Sequence, residues 1–96
     1  MNTTDISKKI SPILNKYNVE YARIFGSVAR GEAREDSDVD LLIKLKKPVS
    51  LYTFFDLNDE LENALGRKVD LVTEGSLNKF LRPYILPDLK TIYEVR

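Results

Sequence analysis

Cysteine and histidine are both absent from the 96 residues of this chain. Without cysteine there is no disulfide scaffold, no thiol nucleophile and no thiolate zinc site. Without histidine, Ser-His-Asp chemistry is excluded, and any general base must be a carboxylate, a lysine, a tyrosine or water. No apolar run approaches the roughly 20 residues of a membrane-spanning helix, and Met1 to Lys9 lacks the apolar stretch of a signal peptide. A soluble, cytoplasmic protein with no membrane partner is therefore expected. Charge of one sign is lacking too: 15 Lys and Arg balance 15 Asp and Glu, so no global field attracts a polyanion and nucleic acid is not the expected partner. The hydrophobic content of 43% suits one compact core and is too little for two. One domain spanning residues 1–96 is the expectation, with no internal repeat or flexible linker.

Hydrophobic periodicity supplies the organisation. Ile6, Ile10, Ile13, Leu14 and Tyr17 recur at helical spacing behind the cap candidates Thr3, Thr4 and Asp5, so an amphipathic helix is predicted. Pro12 either kinks it or marks the first turn of a shorter helix starting after Ser11. Val19 to Phe25 is rich in β-branched and aromatic residues and stops at Gly26-Ser27, which predicts a strand entering a tight turn, then a short helix from Ser27 to about Arg30. Glu32 to Ser37 is turn-like, and Val39 to Leu45 reads as a second strand. Ser50 can cap a helix on which Leu51, Phe54, Phe55, Leu61 and Leu65 form the apolar set, with Gly66 as its stop. Lys68 to Thr73 reads as a third strand, Leu77, Phe80, Leu81 and Tyr84 as a further helix, and Thr91 to Val95 as a short last strand. The fold class is α/β, a small mixed β-sheet packed with helices.

The chemistry falls on the second and third strands. Residues two apart in a strand share a face, so Asp38 and Asp40 point one way and Val39, Leu41 and Ile43 the other. Two like charges at that spacing repel, and a divalent cation with oxygen ligands is their natural partner. Asp70 interrupts the apolar run of the third strand in the same manner. If the two strands are neighbours, three carboxylates converge at one end of the sheet, enough for two Mg²⁺ ions that grip a triphosphate and activate an attacking hydroxyl. Asp70 would be the acceptor-side ligand and a candidate base. Asp-x-Asp by itself is common and signals little. A Gly-Ser turn, the spacing, the paired acids and a third acid on the next strand carry the argument only together.

A triphosphate site also needs donors for the phosphates. Gly26 allows close backbone approach, Ser27 offers a hydroxyl, and the helix behind them presents free N–H groups. Arg30, one turn along, is a candidate for a charge-assisted contact. Gly26 to Gly31 is not a P-loop, because Glu32 stands where the lysine of that motif belongs. Lys44, Lys46 and Lys47 read as edge-strand solubilisers. Phe54, Phe55 and Phe80 read as core or interface, since no aromatic interleaves with a basic run.

Gly26-Ser27, ten residues, then Asp38-Val39-Asp40 resembles the signature of the DNA polymerase β nucleotidyltransferase superfamily, and the string GSVARGEAREDSDVDLLI resembles its minimal nucleotidyltransferase branch. Asp70 in RKVDLVT matches the third acid, and the likeness covers about Val19 to Thr73. The resemblance implies use of ATP with Mg²⁺. It further implies an antitoxin of a type VII toxin-antitoxin system, which transfers AMP to a tyrosine of a HEPN-domain RNase toxin. Two alternatives stay open: a transferase with another acceptor, such as an antibiotic hydroxyl or an RNA 3′ end, and a non-catalytic antitoxin that occludes its partner. The chain has no room for the extra acceptor domains of the larger relatives, which suits a substrate with its own docking surface. Leu77 to Leu89 is the expected place for that docking.

Overall fold

The computed structural model describes residues 2–32, 34, 37–76 and 86–95. In chain order these form α1 (Thr3–Lys16), β1 (Val19–Phe25), α2 (Gly26–Ala29), β2 (Val39–Leu45), α3 (Leu51–Leu65), β3 (Val69–Thr73) and β4 (Lys90–Glu94), with 3₁₀ turns at Glu74–Ser76 and Leu86–Asp88. The strands make one mixed sheet in the order β3-β2-β1-β4. β1 runs antiparallel to both β2 and β4, and β2 runs parallel to β3. A parallel pair cannot be closed by a hairpin, and α3 is the crossover between β2 and β3. The predicted class and the last strand both hold.

α1 and α3 cover one face of the sheet. Ile6, Ile10 and Leu14 from α1 and Leu57, Leu61 and Leu65 from α3 meet Ala22, Ile24, Val39, Leu41, Ile43 and Val69 in a single core. Each Val, Leu or Ile side chain so withdrawn from water contributes about 1.5–3 kcal/mol. Across the same interface Tyr17 donates its hydroxyl to Glu60, whose carboxylate also lies 3.0 Å from Lys16.

Several local expectations are corrected. α1 runs unbroken through Pro12, and its cap is Asn2, which accepts from the Asp5 amide at 2.8 Å, rather than Thr3, Thr4 or Asp5. α2 starts one residue before Ser27. Ser50 and Gly66 do bound α3, Gly66 in the left-handed conformation. The inward stripe of α3 is Leu57, Leu61 and Leu65, however, and Leu51 and Phe55 are exposed. A helix of 15 residues turns past its core at the amino-terminal end, so a helical period there does not imply burial. Lys44, Lys46 and Lys47 do not protect an edge, since β2 is an inner strand; Lys44 pairs with Glu20 at 3.2 Å. The helix expected around Leu77 to Tyr84, Phe80 included, and much of the Leu77 to Leu89 docking segment lie outside the described residues, as do positions 33, 35 and 36 of the turn after Glu32.

Candidate active site

Three strand ends build the site. β1 is antiparallel to β2, so its exit, Phe25, lies opposite Asp40 near the start of β2. β2 is parallel to β3, so Asp40 in turn lies opposite Asp70 near the start of β3. Partners in register place their side chains on the same face. The parallel crossover thus brings together two aspartates separated by 29 intervening positions in the chain. Val39, Leu41 and Ile43, on the other face, are fully buried against the helices. That burial locks the register, because a one-residue slip would turn the acids inward.

Gly26 is fitted to Asp40. Its φ of +75° is in the left-handed region, and a Cβ added there would stand 2.1 Å from the Asp40 carboxylate oxygen Oδ2. Only glycine satisfies both demands. The turn therefore seats the central carboxylate. α2 opens at this glycine, and the first amides of a helix have no acceptor within it. The Ser27 hydroxyl at the same turn is half-buried.

The electrostatics agree with the geometry. Burial pushes the Asp40 carboxyl up to about 6, the neighbouring Asp70 and Asp38 charges push it the same way, and Arg30 pulls against them. Burial and like charge both disfavour the anion. Asp38 differs from expectation in one respect: β2 begins at Val39, so Asp38 precedes the ladder and is exposed. It acts on Asp40 through space from the approach to the strand. Arg30 caps the far end of α2, where its guanidinium is held by Glu32 at 3.0 Å and Asp88 at 2.9 Å. Asp88 carries no signal in the sequence, being 58 residues away, and only the return of the chain through the Leu86–Asp88 turn brings it there.

The donor set is all carboxylate, and hard oxygen donors without thiolate or imidazole fit Mg²⁺ rather than zinc. Among the described residues no three acidic side chains already form a closed cation cage. Mg²⁺ does not need one, since it binds one or two carboxylates and completes its shell with water and substrate phosphates. The repulsion at Asp40 is of the kind that a dication relieves. A cavity of about 600 Å³ lies elsewhere, at the opposite ends of β2 and β3 beside Leu45, Pro48 and Val49. Asp38 and Asp70 are exposed and Asp40 is half-buried between them.

An aspartate pair across parallel strands, with a glycine-serine turn closed onto one of them, defines a nucleotidyltransferase-like centre on a small mixed sheet. The chain belongs to the polymerase beta, nucleotidyltransferase family, whose profile matches residues 8–95, and it is a nucleotidyltransferase. A Methanocaldococcus jannaschii protein named as a candidate protein adenylyltransferase is 44% identical over 86 residues, covering 90% of this chain and 92% of that protein. The protein adenylyltransferase MntA of Thermococcus cleftensis is 40% identical over 74 residues, 77% of this chain and 75% of MntA. Among solved structures, a candidate minimal nucleotidyltransferase superposes with a TM-score of 0.78 at 35% identity, over 94% of this chain and 95% of the other. A toxin-antitoxin complex with AMP-PNP gives 0.80 at 23% identity, over 94% of this chain and 74% of the other. The complex of a tri-AMPylated Shewanella oneidensis HEPN toxin with its MNT antitoxin gives 0.74 at 20% identity, over 97% of this chain and 73% of the other. At those last two identities the likeness is one of fold.

Proposed function

We propose that this protein is a Mg²⁺-dependent protein adenylyltransferase that moves AMP from ATP to a tyrosine hydroxyl of a HEPN-domain RNase toxin, as the antitoxin of a type VII pair in the cytoplasm. The observation that carries the chemistry is Asp40, seated on Gly26 and in register with Asp70. The choice of nucleotide and acceptor is supported by the naming of MntA and by the AMP-PNP and AMPylated-toxin complexes that share the fold.

Asp38, Asp40 and Asp70 would hold the metal, which when bound neutralises phosphate charge and favours ionisation of an attacking hydroxyl. Gly26, Ser27 and the first amides of α2 would bind the departing phosphates, and Arg30 would join them on release from Glu32 and Asp88. The tyrosine oxygen bonds to the α-phosphorus as the bond to pyrophosphate breaks. Asp70, exposed at the sheet end, would accept the proton of that hydroxyl. The exposure of Asp38 and Asp70 suits an acceptor that arrives on a folded partner.

Incubation with α-labelled ATP, Mg²⁺ and the product of a neighbouring HEPN gene tests the reading. Label should appear on a tyrosine of the partner with the wild-type chain and should be lost in Asp38→Ala and Asp40→Ala. Neutralisation of the toxin by either variant, without label transfer, would replace this reading with occlusion.

A further inference from the structure

The guanidinium of Arg30 is held from two sides: its Nε donates to Glu32 at 3.0 Å and its Nη1 donates to Asp88 at 2.9 Å. A guanidinium grips a phosphate best through two parallel N–H bonds, and its planar fork offers such a pair along either of two edges. One edge joins Nε to Nη2, the other Nη1 to Nη2. Glu32 occupies a donor of the first edge and Asp88 a donor of the second, so neither is left whole for a phosphate. The charge is offset too, because two carboxylates face one cation. A carboxylate that merely aimed Arg30 at a phosphate would leave one edge open.

The two carboxylates do not hold equally. Glu32 is two residues along the chain and its side chain is 66% exposed, where water screens an ion pair strongly. Asp88 is 22% exposed and arrives on the Leu86–Asp88 turn, which lies against β1. It is the firmer half of the grip. The cluster is close enough to the Asp40–Asp70 pair for the Arg30 charge to pull against the raised proton affinity of Asp40.

Resting on the reading of Arg30 as a ligand of the departing phosphates, we propose that Asp88 is a positioning residue that withholds Arg30 from the nucleotide, so that a polyphosphate must displace Asp88 to be gripped. The β- and γ-phosphates bring the negative charge and the paired oxygens that such an exchange requires. AMP lacks both groups and leaves the latch closed. When pyrophosphate departs, Asp88 and Glu32 recover the guanidinium. The latch therefore weakens nucleotide binding and favours release of the product.

Titration calorimetry of the full chain with AMP-PNP and Mg²⁺, and separately with AMP, tests the proposal without any acceptor. Asp88→Asn should tighten AMP-PNP about three- to fivefold, the range that one partly exposed ion pair supports, and should leave AMP unchanged. Glu32→Gln should act in the same direction but less, which keeps the test decisive if Asp88→Asn folds poorly. On an Arg30→Gln background the gain from Asp88→Asn should vanish, whereas simple repulsion between Asp88 and the phosphates would persist there. A gain in affinity confined to the polyphosphate is not what a damaged fold would give. AMP-PNP binding that is weaker or unchanged in Asp88→Asn, an equal gain for AMP, or a gain that survives without Arg30 would overturn the latch and leave the transferase reading standing. A wild type that binds no AMP-PNP with Mg²⁺ would instead overturn ATP as the donor, and the latch with it.

Discussion

Asp40→Asn should make the metal-free protein more stable while abolishing nucleotidyl transfer. The carboxyl of Asp40 is pushed up from 3.8 to about 6 by burial and by Asp70 and Asp38, so the folded state holds its proton more tightly than the unfolded chain. A raised carboxyl pKa means that stability is fully present below about pH 4 and is lost as pH rises towards 6. Above pH 7 the wild type bears the whole cost. A shift of about two units corresponds to roughly 3 kcal/mol before screening, but Asp40 is partly open to water, and about 1 kcal/mol is the realistic size. No hydrogen bond to the Asp40 side chain is lost, because none is made among the described residues. For a domain of this size, about 1 kcal/mol raises Tm by roughly 4–8 °C. Thermal unfolding with a chelator present at pH 8 and at pH 4 measures this: Asp40→Asn should melt higher at pH 8 and level with the wild type at pH 4. Added Mg²⁺ should close the gap by stabilising the wild type alone. An Asn variant that melts no higher at pH 8, or keeps the same offset at pH 4, would refute the placement of Asp40 among like charges.

Two further outcomes follow from the same geometry. Gly26→Ala forces a side chain into a left-handed backbone at about 1–2 kcal/mol and drives its Cβ onto Asp40 Oδ2; displacing the carboxylate by an ångström should lower kcat about 100-fold, which single-turnover transfer will detect, alongside a lower Tm. Tyr17 donates to Glu60, and that hydrogen bond, with burial and the Glu60 and Asp56 charges, pushes Tyr17 up to about 12. Its folded pKa exceeds its ordinary value of 10, so its contribution is intact below pH 10 and lost as pH rises to 12. Tyr17→Phe should lower Tm at neutral pH and lack the alkaline step seen in the wild type, whereas equal pH profiles would remove Tyr17 from the α1–α3 contact.

Much of the site is legible in the sequence because its signals are local. Asp40 and Asp70 each interrupt an apolar alternation, and Gly26-Ser27 ends a β-branched run, so strand, turn and acid can each be read within a few residues. Secure helix bounds such as Ser50 and Gly66 are equally local, since a cap acts on amides three or four positions away. The misreadings are those in which distant residues decide. The burial of Leu57 rather than Phe55 depends on where α1 and the sheet end beneath α3. Whether Lys44 lies on an edge depends on strand order, which periodicity does not encode. Asn2 in place of Thr3 as the cap is a choice between neighbours with similar propensity.

The sequence by itself determined which residue types are available for chemistry: histidine and cysteine are excluded, and the strand positions of the aspartates choose one face. Only the tertiary structure decided how those carboxylates meet. A parallel β2–β3 pair puts Asp40 beside Asp70, the antiparallel β1 brings Gly26 under Asp40, and the return of the chain sets Asp88 on Arg30. Register and strand order are properties of packing between elements far apart in the chain. Proton affinity and metal fit depend on distances between charges, so they became definite only when the sheet closed.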